Sequence, residues 1–533
     1  MFIPIIVFVL LTSSVHTKVT VNANLHNLIH NIVAFNEKAK ATIKHTTDNN
    51  VTIAYNKIRD YAVKSDFNEI TNNSIDSDTT ANRSVSDNGT ALILTPLIEQ
   101  EKYAEARTTC RVDSTYFLGI ESYSGYLTVN KTYNSNLFFW YFPSTQGAVN
   151  GTPWIIWLQG GPGASSMTGL FDEIGPFTFE PQKGLKRNPN TWAVNHSLLF
   201  IDNPVGTGFS FTDSTSGFTK DMTTYSSHLY SALDQFLTIF PELRRAPLYI
   251  AGESYGGKYA PSLAMEIHKR KLASEIDLNL QGLIMGNAYI DPQAITHLTR
   301  TFYNFGLIDD AQKKIVEPLE ESFRGDIAAN RSVAAKSKWN YLVTALILLS
   351  YQRHAYNFLK DDMSVGKYSV LFARPEIRRA IHVGNINFRM VNLTVNSELA
   401  PEFLSSARPL METLLEHYRV LAYCGQLDQM MACTMSSESY GRWRWSGAGE
   451  FHNATRYPFL HEGKVAGYHK SGGRLTEVVV RGAGHMVPMD AGGAAQALVA
   501  AFTRDIPISK PNFVIATDTL KSFIKNGTNS IYL

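Results

Sequence analysis

The chain has 533 residues, 44% of them hydrophobic, with a formal net charge of +2. That is enough apolar material for a large core, and the near-neutral charge leaves no whole-chain case for a nucleic-acid or membrane-surface partner. Three cysteines with no C-x-x-C, and no H-E-x-x-H pattern, point to no metal, and no cofactor is expected.

Phe2 to Leu11 is continuously apolar but shorter than the roughly 20 residues that span a bilayer. With small and polar residues through Thr17 it reads as a signal peptide over 1–17, a buried N-terminal strand being the alternative. Residues 18–95, rich in Asn, Thr, Ser and Asp, read as a pro-segment or mobile extension. Sequons begin at Asn50, Asn72, Asn82, Asn88, Asn130, Asn150, Asn195, Asn330, Asn392, Asn453 and Asn526. As glycosylation candidates they support the secretory pathway, lysosomal or extracellular. Cys424 and Cys433 are close enough for a local bridge, with Cys110 left over; three buried thiols are the other reading.

From Pro96 the pattern becomes that of a folded core. Tyr116–Gly119, Ser124–Val129, Asn136–Phe142, Trp154–Leu158 and Leu198–Ile201 read as strands, and Tyr225–Phe240 as an amphipathic helix. A strand starting at Pro247 follows, then a helix over Lys258–Lys271 and a strand over Leu280–Met285. This alternation predicts an α/β fold with a mostly parallel central sheet and helices on both faces. Residues 293–375 break the rhythm and read as a mainly helical lid over the strand ends. The core then falls in two parts, 96–292 and 376–510, followed by a tail over 511–533. In the second part, Arg419–Tyr423 and Thr476–Val480 restore the strand pattern.

Chemistry concentrates where these strands end. Leu248–Ala251 runs into Gly252-Glu253-Ser254-Tyr255-Gly256-Gly257, a G-x-S-x-G turn between strand and helix that puts Ser254 on a strained elbow. A serine needs a base to become a nucleophile. The strand at 419–423 leads to Asp428, and that at 476–480 leads to His485, each in a glycine-containing loop. In the order Ser254, Asp428, His485, the histidine takes the serine proton and the aspartate fixes the imidazole tautomer. Asp202 also follows a strand but precedes the serine, so its order is wrong; His382, His452, His461 and His469 lack a strong preceding strand. Gln159 to Ser166, glycine-rich after an early strand, is where one oxyanion-hole donor arises.

Together, Trp157–Gly163, Asp202–Ser210, Gly252–Gly257, Tyr423–Asp428 and Gly482–Pro488 resemble a serine carboxypeptidase with an α/β-hydrolase fold, over roughly residues 115–510. Gln159 and the tract from Ile201 to Thr212 look most like its vitellogenic-like branch. The resemblance implies release of single residues from peptide C-termini at acidic pH. It implies oxyanion donors on the N–H groups of Gly161 and Tyr255. It also implies a proton-sharing pair, Glu173 and Glu253, that with Gln159 and the Gly160 N–H binds the terminal carboxylate, with Met486 lining the pocket for the departing residue. Gln159 stands where most of the family has Asn, and Ala164 with the low cysteine count removes disulfides common elsewhere. An acyltransferase or esterase on the same triad, or a non-catalytic secreted binding protein, remains an alternative. The chain fits a monomer or a homodimer with no membrane span after signal removal.

Overall fold

A computed structural model describes residues 88–508, so the expected signal peptide, most of the expected 18–95 extension and the expected 511–533 tail lie outside the described residues. Its frame is a 10-stranded sheet ordered β1-β2-β6-β3-β7-β8-β9-β12-β11-β10. These strands are β1 (Tyr123–Asn130), β2 (Ser135–Phe142), β3 (Trp154–Leu158), β6 (Ser197–Ile201), β7 (Leu248–Glu253), β8 (Leu280–Gly286), β9 (Arg419–Gly425), β10 (Tyr457–His461), β11 (Lys464–Gly472) and β12 (Leu475–Val480). A separate hairpin pairs β4 (Phe177–Glu180) with β5 (Gly184–Arg187).

The six central strands, β6 to β12, run parallel, and antiparallel pairs close both flanks. Strand periodicity explains how both faces become buried. In β3, Trp154, Ile156 and Leu158 enter one core, while Ile155 and Trp157 enter the other. In β7, Leu248 and Ile250 divide from Tyr249 and Ala251 in the same way.

Helices cover both faces. α1 (Met222–Ile239) and α2 (Gly256–Leu272) pack on the first core. Between β8 and β9 the chain adds α3 (Leu298–Asn304), α4 (Asp310–Ala328) and α5 (Ser332–Leu349). Leu298, Phe302, Val316, Phe323 and Leu342 carry this group onto the same core. α6 (Gly492–Thr503) covers the opposite face through Ala494, Leu498, Val499 and Phe502. Among the described residues no helix is long and apolar enough to cross a membrane.

One sequence reading is corrected and one open alternative is resolved. Tyr116–Gly119 forms no strand: Asp113 Oδ1 accepts from the Thr115 N–H at 3.0 Å, winding Ser114–Tyr116 into a 3-10 turn. Leu118 and Gly119 then take positive φ values, 55° and 73°, which strand geometry excludes. Of the two readings of the cysteines, the bridge is found: Cys424 and Cys433 are joined with Cα atoms 5.6 Å apart, and Cys110 is a buried free thiol. Burial pushes the Cys110 thiol up to about 12, so it is an inert core residue.

Candidate active site

Register aligns the C-terminal ends of the parallel strands. Leu158 of β3 lies beside Gly252, Glu253 beside Gly286, Gly286 beside Tyr423, and Gly425 beside Val480. The loops leaving these ends therefore converge, although they are scattered over the sequence. Ser254 follows β7 directly with φ +55°, the conformation of a strained elbow. The turn is held by Ser254 N–H donating to Gly286 O at 3.0 Å and by Ser254 O accepting from Tyr289 N–H at 2.7 Å. Glycine at 256 is obligatory, because a Cβ there would sit 2.3 Å from Leu158 O.

Beyond β12, His485 Nδ1 lies 2.6 Å from Asp428 Oδ2. Asp428 is itself constrained: Oδ1 accepts from the Met430 and Met431 N–H groups at 2.7 and 3.2 Å, and Oδ2 accepts from Asn287 Nδ2 at 2.6 Å. Asn287, the first residue after β8, went unnoticed in the sequence. Its Oδ1 accepts from Gly425 N–H at 3.2 Å, so one amide ties the ends of β8 and β9 to the carboxylate. The histidine loop is held from the other side. His485 N–H donates to Tyr356 O at 2.7 Å, and the Tyr356 ring lies edge-on 4.9 Å away. Asp490 Oδ2 accepts from Gly484 N–H at 2.7 Å and from Asn357 Nδ2 at 2.8 Å. Ser254 and His485 line one cleft, with no direct hydrogen bond between them among the described residues. Catalytic hydrogen bonds of this kind often tighten only in the transition state.

The glycine-rich loop after β3 packs against the elbow. A Cβ on Gly160 would lie 2.6 Å from Tyr255 N and 2.7 Å from Ser254 Cβ. Asp202, rejected above as a triad acid, anchors this loop instead. It accepts from Ser165 Oγ at 2.7 Å, Ser166 N–H at 2.9 Å and Phe209 N–H at 2.8 Å. Among the described residues, the N–H groups of Gly161 and Tyr255 have no acceptor. Two unsatisfied backbone donors beside a strained serine can stabilise an oxyanion.

Glu253 and Tyr255, on either side of Ser254, point to different ends of the cleft. At one end Gln159 Nε2 donates to Glu253 Oε1 at 2.7 Å and to Glu173 Oε1 at 3.2 Å. Trp157 Nε1 donates to Gln159 Oε1 at 2.7 Å, which fixes the amide so that its NH2 faces the acids. Glu253 and Glu173 are buried, at 1% and 2% exposure, their carboxyls hydrogen-bond to each other, and Oε2 of each has no donor among the described residues. Burial raises both pKa values, and for Glu253 the adjacent Glu173 charge raises it further.

At the other end, the Tyr255 hydroxyl donates to Glu402 Oε2. Fully buried Lys258 donates to Glu402 O and Phe403 O, both at 2.9 Å, and lies 3.5 Å from Glu402 Oε2. Burial lowers Lys258 to about 8. Residues of α5, including Lys336, Trp339, Asn340 and Val343, wall this end, and Met486 lines the same cleft. Among the described residues no group of His, Cys, Asp and Glu could hold a metal.

The sequons separate by exposure. Asn50, Asn72, Asn82 and Asn526 lie outside the described residues. Asn150, Asn330 and Asn453 are exposed, while Asn88, Asn130 and Asn195 are half-buried. Asn392 is a correction. It is buried, and the Nδ2 that would carry a glycan donates to Gly206 O at 2.7 Å.

A parallel sheet whose strand ends carry serine, acid and histidine in that chain order places the molecule among the α/β-hydrolases. The chain belongs to the serine carboxypeptidase family, whose sequence profile matches residues 112–505. It is therefore a hydrolase of peptide C-termini. It is 39% identical over 433 residues to vitellogenic carboxypeptidase of Aedes aegypti, covering 78% of this chain and 90% of that protein. It is 38% identical over 433 residues to probable serine carboxypeptidase CPVL of Homo sapiens, covering 76% and 87%. Among solved structures, the prohormone-processing carboxypeptidase Kex1 of Saccharomyces cerevisiae superimposes with a TM-score of 0.69 over 76% of this chain and 98% of its own. At 24% identity that likeness concerns the fold.

Proposed function

We propose that the chain removes single residues from peptide C-termini at acidic pH through an acyl-enzyme on Ser254. The observation that carries this reading is the buried Glu173, Gln159 and Glu253 group adjoining the elbow, in which Gln159 donates to both acids and the two carboxyls hydrogen-bond to each other. A protonated carboxyl there donates to a substrate's terminal carboxylate, whereas a doubly ionised pair repels it. The Gly160 N–H completes the clamp, and Met486 lines the space for the departing residue.

With the carboxylate held, the last peptide bond lies over Ser254. Neutral His485 takes the Ser254 proton as Oγ attacks the carbonyl carbon, and Asp428 stabilises the imidazolium. The N–H groups of Gly161 and Tyr255 receive the oxyanion. Collapse breaks the C–N bond, and His485 returns the proton to the departing amine. Water, deprotonated by the same histidine, then frees the peptide acid and restores Ser254. Residues 293–375 act as the lid. The Cys424–Cys433 bridge and the signal-like N-terminus favour the secretory pathway, lysosomal or extracellular.

Paired peptides with free and amidated C-termini test the reading. Free acids should be cleaved far faster, and Ser254→Ala should lower cleavage by several orders of magnitude. Equal cleavage of amidated peptides would sink the clamp, and retained activity in Ser254→Ala would sink the nucleophile.

A further inference from the structure

One buried cation in the cleft takes no part in this chemistry. Lys336, on α5, is 4% exposed and lines the cleft. It stands on the Tyr255 side of Ser254, away from the carboxyl pair. Its ammonium donates to Asn396 O, and Asn396 Nδ2 donates in turn to Pro162 O at 3.3 Å, in the loop that bears Gly161. Lys336 is thus one residue removed from the oxyanion loop.

Among the described residues no carboxylate pairs with it. Glu402, the acid on this side, is already engaged by Lys258 and by the Tyr255 hydroxyl. A buried ammonium with one carbonyl partner is poorly compensated. Burial and the Lys258 charge lower it to about 7 against a smaller opposing effect of the Glu402 charge, which leaves it protonated in acid. Asn340, one turn further along α5, also lines the cleft, and its side chain makes no hydrogen bond among the described residues. Tyr289, Trp339 and Phe403 supply apolar wall around these two polar groups.

If the terminal carboxylate occupies the Glu173 and Glu253 end, the preceding residue, which becomes the acyl group, projects to the far side of Ser254. We infer that Lys336, with Asn340, makes this acyl-side pocket selective for an acidic side chain, so that the favoured substrates carry Glu or Asp as their penultimate residue. The methylenes of such a side chain lie against the aromatic wall, and its carboxylate supplies the counter-ion that Lys336 lacks. The inference rests on the carboxypeptidase reading of the site.

The test uses N-blocked peptides with one C-terminal residue and Glu, Gln, Leu or Lys before it. They are assayed near pH 5.5, where a free glutamate side chain is largely ionised. Wild-type kcat/KM should favour Glu over Gln by roughly 10- to 100-fold. Lys336→Met should erase that preference while leaving the Leu peptide within a few-fold of wild type, and Lys336→Arg should restore much of it. Equal wild-type rates on Glu and Gln would overturn the inference. So would a parallel loss on Leu and Glu in Lys336→Met, since Lys336 would then be only a tie to Asn396. Failure of the wild type on every peptide, Leu included, would remove the underlying site reading and the inference with it.

Discussion

Glu173→Gln separates substrate binding from stability at the carboxyl pair. Burial moves the Glu173 carboxyl from 4.5 to about 7, and Glu253 is displaced in the same direction by burial and by its neighbour. Between those limits the folded chain keeps a proton that the unfolded chain releases, so stability falls as pH rises. At about 1.4 kcal/mol per unit of displacement, the ionisation costs about 3 kcal/mol between roughly pH 4 and pH 8. The two acids share a site, so that loss belongs to the pair. The glutamine variant lacks the Glu173 titration and keeps only that of Glu253, which burial still raises. It should match wild type near pH 4 and exceed it by up to about 3 kcal/mol near pH 8 in denaturant unfolding. Kinetics should follow the same proton. Wild-type KM for a free-acid peptide should climb as the pair ionises, because a second negative charge confronts the substrate carboxylate. In Glu173→Gln the amide remains a donor, so KM should climb less and cross below wild type at alkaline pH. Superimposable KM profiles for the two proteins would refute the clamp, and an unchanged stability gap from acid to alkaline pH would refute the raised pKa behind it.

The remaining predictions concern Asn287 and the sequons. Asn287→Ala removes a hydrogen bond to the Asp428 carboxylate that is 2.6 Å long. Bonds to charged groups contribute about 1.5–3 kcal/mol, so kcat should fall by roughly 10- to 100-fold with KM nearly constant; an unchanged kcat would show that the Met430 and Met431 N–H groups suffice. Peptide mapping of protein from a glycosylating host should find glycan at exposed Asn150 or Asn330 and none at Asn392. Occupancy at Asn392 would mean that its bond to Gly206 O does not form before glycosylation.

What could be read in the sequence was whatever local order makes visible. Ser254, Asp428 and His485 each stand in a loop after an apolar run, and chain order selected them together. Asn287 occupies the same kind of position after β8, yet an amide announces no chemistry. Its role exists only because register brings Gly286 beside Tyr423. Tyr356 and Asp490 act on the histidine loop through a backbone carbonyl and a carboxylate whose partners are set by the tertiary fold. β10 and β11 escaped notice because they lie at the sheet's flank with mostly half-buried or exposed residues, so neither carries a long apolar run. The strand expected at Tyr116–Gly119 failed for the opposite reason: three apolar or aromatic residues in a row weigh less than the Asp113 cap before them.

Glu253 and Tyr255 leave the Ser254 elbow in opposite directions. Backbone geometry fixes where these two neighbours of Ser254 can go, one toward Gln159 and Glu173, the other toward Glu402 and Lys258. On the proposed reading the first direction binds the peptide's terminal carboxylate, a feature common to all C-termini, and its parts come from the segment after β3 and the end of β7. The second direction is walled by α5, which belongs to the insertion between β8 and β9, outside the parallel frame. Changes on α5 can alter the acyl-side pocket without moving a strand end. On that reading, substitutions on α5 should change selectivity for the penultimate residue while leaving Ser254, His485 and the carboxyl pair in place. Lys336 and Asn340 are the polar side chains that α5 contributes to that wall.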